Sequence, residues 1–456
     1  MDRRGHVIVI PYPAQGHVAP LMKFAYKIAE NGIKVTFVNA DFIHDKIMSS
    51  LPHNFKNNIP ITLVSISTGL AMAKNRDHED IIETMKRISS NMPCNLQRLI
   101  ENINQGNNDE HVSCVVADLT AYWAIEVAEK LGIKRAGFIP FGIGNLALNL
   151  HASKLIESGI IDVHGIPFKD ELIYVSKEIP PWNSKELTWS MQYGKHLDKF
   201  VFKHLILDTV EIVKKSDWIL VNSFYELEQS ACDLIPDALP IGPLFMHEPF
   251  PGNFWQEDSS CLNWLDQQPQ GSVIYAAFGS TTVCNQQQFD ELAYGLEVIG
   301  QPFLWVVRSN FTQGNGVEFP HGFKERVGKY GKIVEWAPQE KVLAHPSIAC
   351  FFSHCGWNST LEGVSRGVPY LCWPYFGDQM RNSYYICETW KVGLRIFPDE
   401  NGIVTRQRVK SKIEKLLSDQ HIKANSLKLK DMAAKSMSEG GVSFKNFMSF
   451  IGQIKQ

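Results

Sequence analysis

Short apolar runs alternate with longer amphipathic stretches through most of the chain. Residues 7–10 are a four-residue apolar run, which predicts a buried strand. From Pro20 to Glu30, Leu21, Phe24, Ala25 and Ile28 recur at helical spacing, and Gly32 marks the stop. Residues 35–38 predict the next strand, and a strand–helix–strand unit implies parallel pairing. Residues 113–117 and 136–139 read as strands around a helix over 123–131, and 218–221 as a further strand. The rhythm then restarts. Strands are predicted over 272–278, 303–307, 350–353 and 370–373, with helices over 286–299 and 359–365. The prolines and glycines of 240–253 separate the two series and predict a linker. The pattern predicts two doubly wound, Rossmann-like α/β domains facing across a cleft. The N-terminal domain is expected over 1–245, a linker over 246–256 and the C-terminal domain over 257–439.

Composition narrows the partners. The chain has 456 residues, too many for one typical domain of roughly 100–200. With 44% hydrophobic and 20% charged residues it excludes disorder as the main state. Forty-five basic residues against 48 acidic ones give a net charge of −3, so no global field attracts nucleic acid or anionic lipid. Nine cysteines without a CxxC suit a reduced, cytoplasmic protein. His345, Cys350, His354 and Cys355 fit no zinc spacing, so no metal is expected. No apolar run reaches the length of a signal peptide or a membrane span. A cytoplasmic monomer with no integral membrane segment is expected.

In doubly wound sheets, ligands bind beyond the carboxyl ends of the strands. His17 follows the first strand in Pro-Ala-Gln-Gly-His, at or near a helix start that favours a neutral, proton-accepting ring. It reads equally as a structural histidine. Asp118 ends the strand over 113–117, where it suits either a histidine partner or a helix cap. Residues 350–353 lead through a glycine-containing turn into a helix near Asn358. Free N–H groups there, with His354, Asn358 and Ser359, suit a diphosphate. Glu362 lies one turn on, placed for ribose hydroxyls or simply for the helix dipole. Trp336 offers a flat face to a base or packs in a core. Asp378 and Gln379 suit sugar hydroxyls or helix capping.

Residues 336–379 resemble the 44-residue signature of plant family 1 UDP-sugar glycosyltransferases. The likeness includes Trp336-Ala337-Pro338-Gln339, His354-Cys355-Gly356-Trp357-Asn358-Ser359, Glu362, Gly367-Val368-Pro369 and Asp378-Gln379. Pro-Ala-Gln-Gly-His17, Val-Ala-Asp118 and Phe278-Gly279-Ser280 extend it over nearly the whole chain. Pro180-Pro181-Trp182-Asn183 and the opening Ile-Pro-Tyr-Pro are similar to the 83A-type branch. Ala349-Cys350 depart from the glycines common there, and only local repacking is expected. The resemblance implies a GT-B fold, with the acceptor in the N-terminal domain and the sugar nucleotide in the C-terminal one. A last helix over about 440–456 would pack back on the N-terminal domain.

The resemblance also implies metal-independent O-transfer with inversion at the anomeric carbon. His17 would be the base and Asp118 its partner. Trp336, Ala337 and Gln339 would meet uracil or ribose, and Glu362 the ribose. Ser280, His354, Asn358 and Ser359 would meet the diphosphate. Trp357, Asp378 and Gln379 would hold the sugar. Gln379 matches the residue associated with glucose, which makes UDP-glucose the expected donor, with galactose and xylose left open. Phe141, Asn145, Trp182, Trp189 and Phe376 are candidate lining for a hydrophobic flavonoid, phenolic or terpenoid acceptor. Two other readings are a non-catalytic nucleotide-sugar binder and a nicotinamide oxidoreductase. The second lacks GxGxxG after the first strand.

Overall fold

Buried parallel strands need cover on both faces, and the chain supplies it in two separate places. A computed structural model describes residues 5–51, 60–69, 78–106, 111–190, 194–246, 252–314 and 316–455. They form two compact units, Met1–Trp255 with Lys435–Gln456, and Gln256–Ala434.

The first unit holds a seven-stranded sheet. Its strands are β1 (His6–Ile10), β2 (Lys34–Ala40), β3 (Thr62–Ile66), β4 (Val112–Asp118), β5 (Lys134–Ile139), β6 (Trp218–Val221) and β7 (Ala238–Pro240). They run in the order β3-β2-β1-β4-β5-β6-β7, all parallel. The order reverses between β1 and β4, which makes that gap the topological switch point. Helices α1 (Gln15–Glu30), α2 (Asp41–Ser50), α3 (His78–Gln105), α4 (Tyr122–Lys130) and α5 (Ile143–Leu150) fill the crossovers. Helix α1 starts earlier than the expected Pro20, which sits in its second turn and forfeits one ladder bond without ending the helix.

The second unit holds β8 (Val273–Ala277), β9 (Phe303–Val306), β10 (Gly331–Val334), β11 (Ile348–Ser353), β12 (Tyr370–Cys372) and β13 (Gly393–Arg395). The order is β10-β9-β8-β11-β12-β13, again all parallel, with the switch point between β8 and β11. Helices α6 (Gln286–Ile299), α7 (Trp357–Arg366) and α8 (Asp378–Tyr384) lie among these strands in sequence. Phe289 stacks on Trp305 at 5.1 Å between centroids, and Phe278 meets Trp373 edge-on at 5.2 Å.

Much of the expected linker, residues 247–251, lies outside the described residues. Its end is tethered. Gln15 Nε2 donates to the Gly252 carbonyl at 3.0 Å, and the Phe254 N–H donates back to Gln15 Oε1 at 2.9 Å. The last helix, α9 (Val442–Ile454), belongs to the first unit. Phe450 lies 5.8 Å from Phe24 and meets Trp218 edge-on at 5.4 Å. Trp218 Nε1 and Lys134 Nζ both donate to Gln453, each at 3.0 Å.

Phe450→Ala is expected to lower the stability of the first unit by about 3–5 kcal/mol, the usual cost of emptying an aromatic core site. Urea unfolding followed by Trp218 fluorescence would show it. An unchanged midpoint would mean that α9 is not part of that core.

Candidate functional site

The two switch points hold the candidate chemistry, one in each unit. In the first, α1 begins two residues before His17, and Asp118 is the last residue of β4. Asp118 is 0% exposed, so its charge must be met by donors. The Thr120 N–H and hydroxyl donate to Oδ1 at 2.9 and 2.6 Å. His17 Nδ1 lies 2.7 Å from Oδ2. An ionised carboxylate only accepts, so Nδ1 carries the hydrogen and Nε2 keeps its lone pair. The His17 side chain is 25% exposed, enough for contact with a small molecule. The two readings of Asp118 therefore hold together. One oxygen caps the short turn Leu119–Ala121 and the other fixes the imidazole.

Two residues of this site escaped the sequence reading. Tyr12 packs its ring against His17, centroids 5.0 Å apart. Burial, helped by the Asp118 charge, pushes its phenol up to about 12, so it stays neutral beside the pair. Thr120 was legible only as the third member of an Asp-x-Thr turn. Tyr12 and Thr120 also wall a small cavity with Met85, Ile88, Met92 and Trp123. Met85, Ile88 and Met92 come from α3 and Trp123 from α4, and no spacing joins them to Tyr12.

The expected acceptor residues divide. Phe141 is half-buried just before α5, and Asn145 is buried within it. Glu228 caps α5 from a distant segment. Its carboxylate accepts the N–H groups of Ile143 and Gly144 at 3.1 and 3.0 Å and the Ser223 hydroxyl at 2.7 Å. Trp182 and Trp189 are each 2% exposed and belong to the first unit's core. Trp189 packs on Phe202 at 4.9 Å and donates Nε1 to the Gly165 carbonyl. Phe376 is half-buried and belongs to the second unit.

In the second unit, the loops after β8 and β11 meet at one histidine. A Cβ added to Gly279 would lie 2.4 Å from His354 Nε2, and one added to Gly356 would lie 2.5 Å away. Only glycine permits both approaches, and Gly279 also has φ +71°. Ser280 follows Gly279 and is half-buried. Burial, then the charge of Arg308, lowers the His354 pKa to about 4, against the opposing effect of the Ala277 carbonyl. The ring is therefore neutral at physiological pH. Gly356 begins α7, whose first-turn N–H groups, with Asn358 and Ser359, form a helix N-terminus beside that ring.

Gln339, from a separate segment, binds three partners, two of them on α7. Its Nε2 donates to Ser359 Oγ and to Glu362 Oε2, both at 2.8 Å, and its Oε1 accepts from the Tyr275 hydroxyl at 3.1 Å. Trp336 is half-buried and the adjoining Ala337 is buried. Trp357 is buried, its ring 6.5 Å from that of Trp390. Asp378 accepts from Asn382 Nδ2 at 2.8 Å, and the same nitrogen donates to the Cys355 carbonyl at 2.9 Å. Gln379 uses Oε1 to accept from the N–H groups of Tyr375 and Phe376 at 2.8 and 3.3 Å, leaving its amide nitrogen as a donor. Among the described residues, no group of three His, Cys, Asp or Glu side chains is arranged to hold a metal. No described helix is long and apolar enough to cross a membrane.

These features have counterparts in known proteins. Residues 183–436 match the family model described as "UDP-glucoronosyl and UDP-glucosyl transferase". The chain is 40% identical to UDP-glycosyltransferase 83A1 of Arabidopsis thaliana, over 99% of this chain and 97% of that one. Its fold is similar to Phytolacca americana UGT2 solved with UDP-2fluoro-glucose and pterostilbene, with a TM-score of 0.81, 27% identity and 99% of each chain covered. It is also similar to a Polygonum tinctorium UDP-glucosyltransferase capable of glucosylating indoxyl, solved with 3,4-dichloroaniline. There the TM-score is 0.82, with 28% identity and 99% of each chain covered. The chain thus has the GT-B fold and belongs to the plant family 1 UDP-glycosyltransferases, enzymes that transfer a sugar from a UDP-sugar, and within them to the 83A type.

Proposed function

We propose that the protein moves glucose from UDP-glucose to a hydroxyl of a small hydrophobic acceptor, with inversion at the anomeric carbon. One observation carries the reading: Nδ1 of His17 is bound to a buried carboxylate at 2.7 Å, so Nε2 is left as the proton acceptor. The acceptor hydroxyl gives its proton to Nε2 as its oxygen bonds to C1 of the sugar. The C1–oxygen bond to the β-phosphate breaks, and its electron pair leaves on UDP. Asp118 balances the imidazolium that forms. A phenol of ordinary pKa near 10 needs such a base, worth about 10²–10⁴-fold in rate.

The second unit would hold the donor. Trp336 and Ala337 would take uracil, Gln339 and Glu362 the ribose. Ser280, His354, Asn358, Ser359 and the first turn of α7 would take the diphosphate, stabilising the leaving charge without a metal. The Gln379 amide and Asp378 would hold the sugar, and the Trp357 N–H would face it from the helix start. Phe141 and Asn145, with the cavity beside Tyr12, would receive the acceptor. The aromatic acceptors of the similar structures support a flat, apolar partner. In this reading the protein works as a cytoplasmic monomer.

His17→Ala is expected to lose about 10²–10⁴ of transfer rate, while calorimetry finds UDP affinity unchanged. The assay is mass spectrometry of UDP-glucose with a panel of phenols and terpenoid alcohols. Full activity in the variant would remove His17 as the base, and UDP-glucose binding without product on any acceptor would favour a binding protein.

The proton state of His354 gives a second expectation. Its pKa falls from 6.5 in the unfolded chain to about 4 in the folded one. Between these values the unfolded chain holds a proton that the folded chain lacks, so acid favours unfolding. The contribution is complete above pH 6.5 and is lost as pH falls towards 4. Urea midpoints should drop across that interval, and drop less in His354→Asn. Equal slopes would contradict a neutral, buried ring.

A further inference from the structure

Arg308 follows β9 and is 2% exposed. Its Nη1 donates to Asn310 Oδ1 and its Nη2 to the Thr282 carbonyl. The Phe311 ring lies 5.9 Å from the guanidinium carbon. These partners are neutral, and among the described residues no carboxylate pairs with Arg308. Burial lowers its pKa to about 10, which still leaves it charged at physiological pH.

A buried charge with only neutral partners is an incomplete site, because desolvation is opposed by dipoles alone. The surroundings indicate what completes it. Thr282 lies two residues after Ser280, in the loop that follows β8. His354, at the end of β11, feels the Arg308 charge strongly enough for it to help hold that ring neutral. Arg308 is therefore bound to the loop after β8, and its charge reaches the histidine that follows β11. Because His354 is neutral, Arg308 is the full positive charge that this pair of residues offers.

We propose that Arg308 is the fixed counter-charge for the nucleotide diphosphate, and that its bond to the Thr282 carbonyl sets the loop over 279–282 that receives it. Arg308 is a positioning residue, acting through that loop and through its field. The proposal rests on the second unit being the nucleotide-sugar site. It explains how a site with a neutral histidine can stabilise the one charge that develops on the β-phosphate: the counter-charge is buried, where water does not screen it. It also distinguishes the phosphate end of the site, which needs charge, from the uracil end, which does not.

The test compares UDP with uridine, which lacks both phosphates, by titration calorimetry on the full chain. Arg308→Gln should weaken UDP by about tenfold or more, as expected for loss of a buried counter-charge, and leave uridine within about twofold. Arg308→Lys should keep most of the difference between UDP and uridine, since the charge remains while the fork is lost. Arg308→Met leaves no buried polar atom to satisfy and gives the same comparison if the glutamine variant does not fold. Equal weakening of UDP and uridine, or no weakening of either, would overturn the proposal and reduce Arg308 to a loop tie. Trp336→Ala separates the two levels. If it leaves uridine affinity unchanged, or if the unaltered chain binds neither molecule, the nucleotide site itself is misplaced and both readings fall.

Discussion

A carboxylate removed from water must be surrounded by donors, and Asp118 shows how much follows from that requirement. Its three hydrogen bonds come from Thr120, two residues on, and from His17, a hundred residues away. They can form together only because β4 lies beside β1 in the sheet, so that the ends of both strands open onto one gap. The tautomer of His17 is a consequence of this pairing. So is the assignment of the lone pair to its other nitrogen, Nε2. Tyr12, held neutral by the same burial, closes one side of the ring.

The second unit applies the same physics with the signs reversed. Burial there suppresses a charge on His354 and leaves one on Arg308. The guanidinium is too basic to surrender its proton at physiological pH, whereas the imidazole gives way readily. The result is a donor that is neutral near a charge that is fixed. Two glycines make the arrangement possible by letting the loops after β8 and β11 close on the histidine from both sides. Gln339 performs the corresponding service from another segment, joining Ser359 to Glu362 on α7 and fixing that carboxylate.

The relatives confirm a family that the run over 336–379 already suggested, because that run carries its chemistry in one stretch of chain. Strand, turn and helix start succeed one another without a break, so spacing alone puts His354, Asn358 and Glu362 in order. The acceptor side had no such advantage. Trp182 and Trp189 suit a pocket lining or a core equally by residue type, and only the packed structure shows that both are buried. The strands β3, β10 and β13 were also illegible. Thr62–Ile66 and Gly331–Val334 are only partly buried sheet edges without a clear apolar run, and Gly393–Arg395 is three residues long.

What the amino-acid order determined by itself was local. It set the strand and helix periods, the glycine that ends each turn, the reduced state of the cysteines and the donor motif, because each depends on neighbours within a few residues. What only the tertiary structure decided was who meets whom. Glu228 capping α5, Gln15 tethering Gly252, Tyr12 against His17 and Arg308 on the Thr282 carbonyl depend on which strands became adjacent and on how much water was excluded when they did. Burial of that kind is a property of the packed sheet and its covering helices, and no window of sequence contains it.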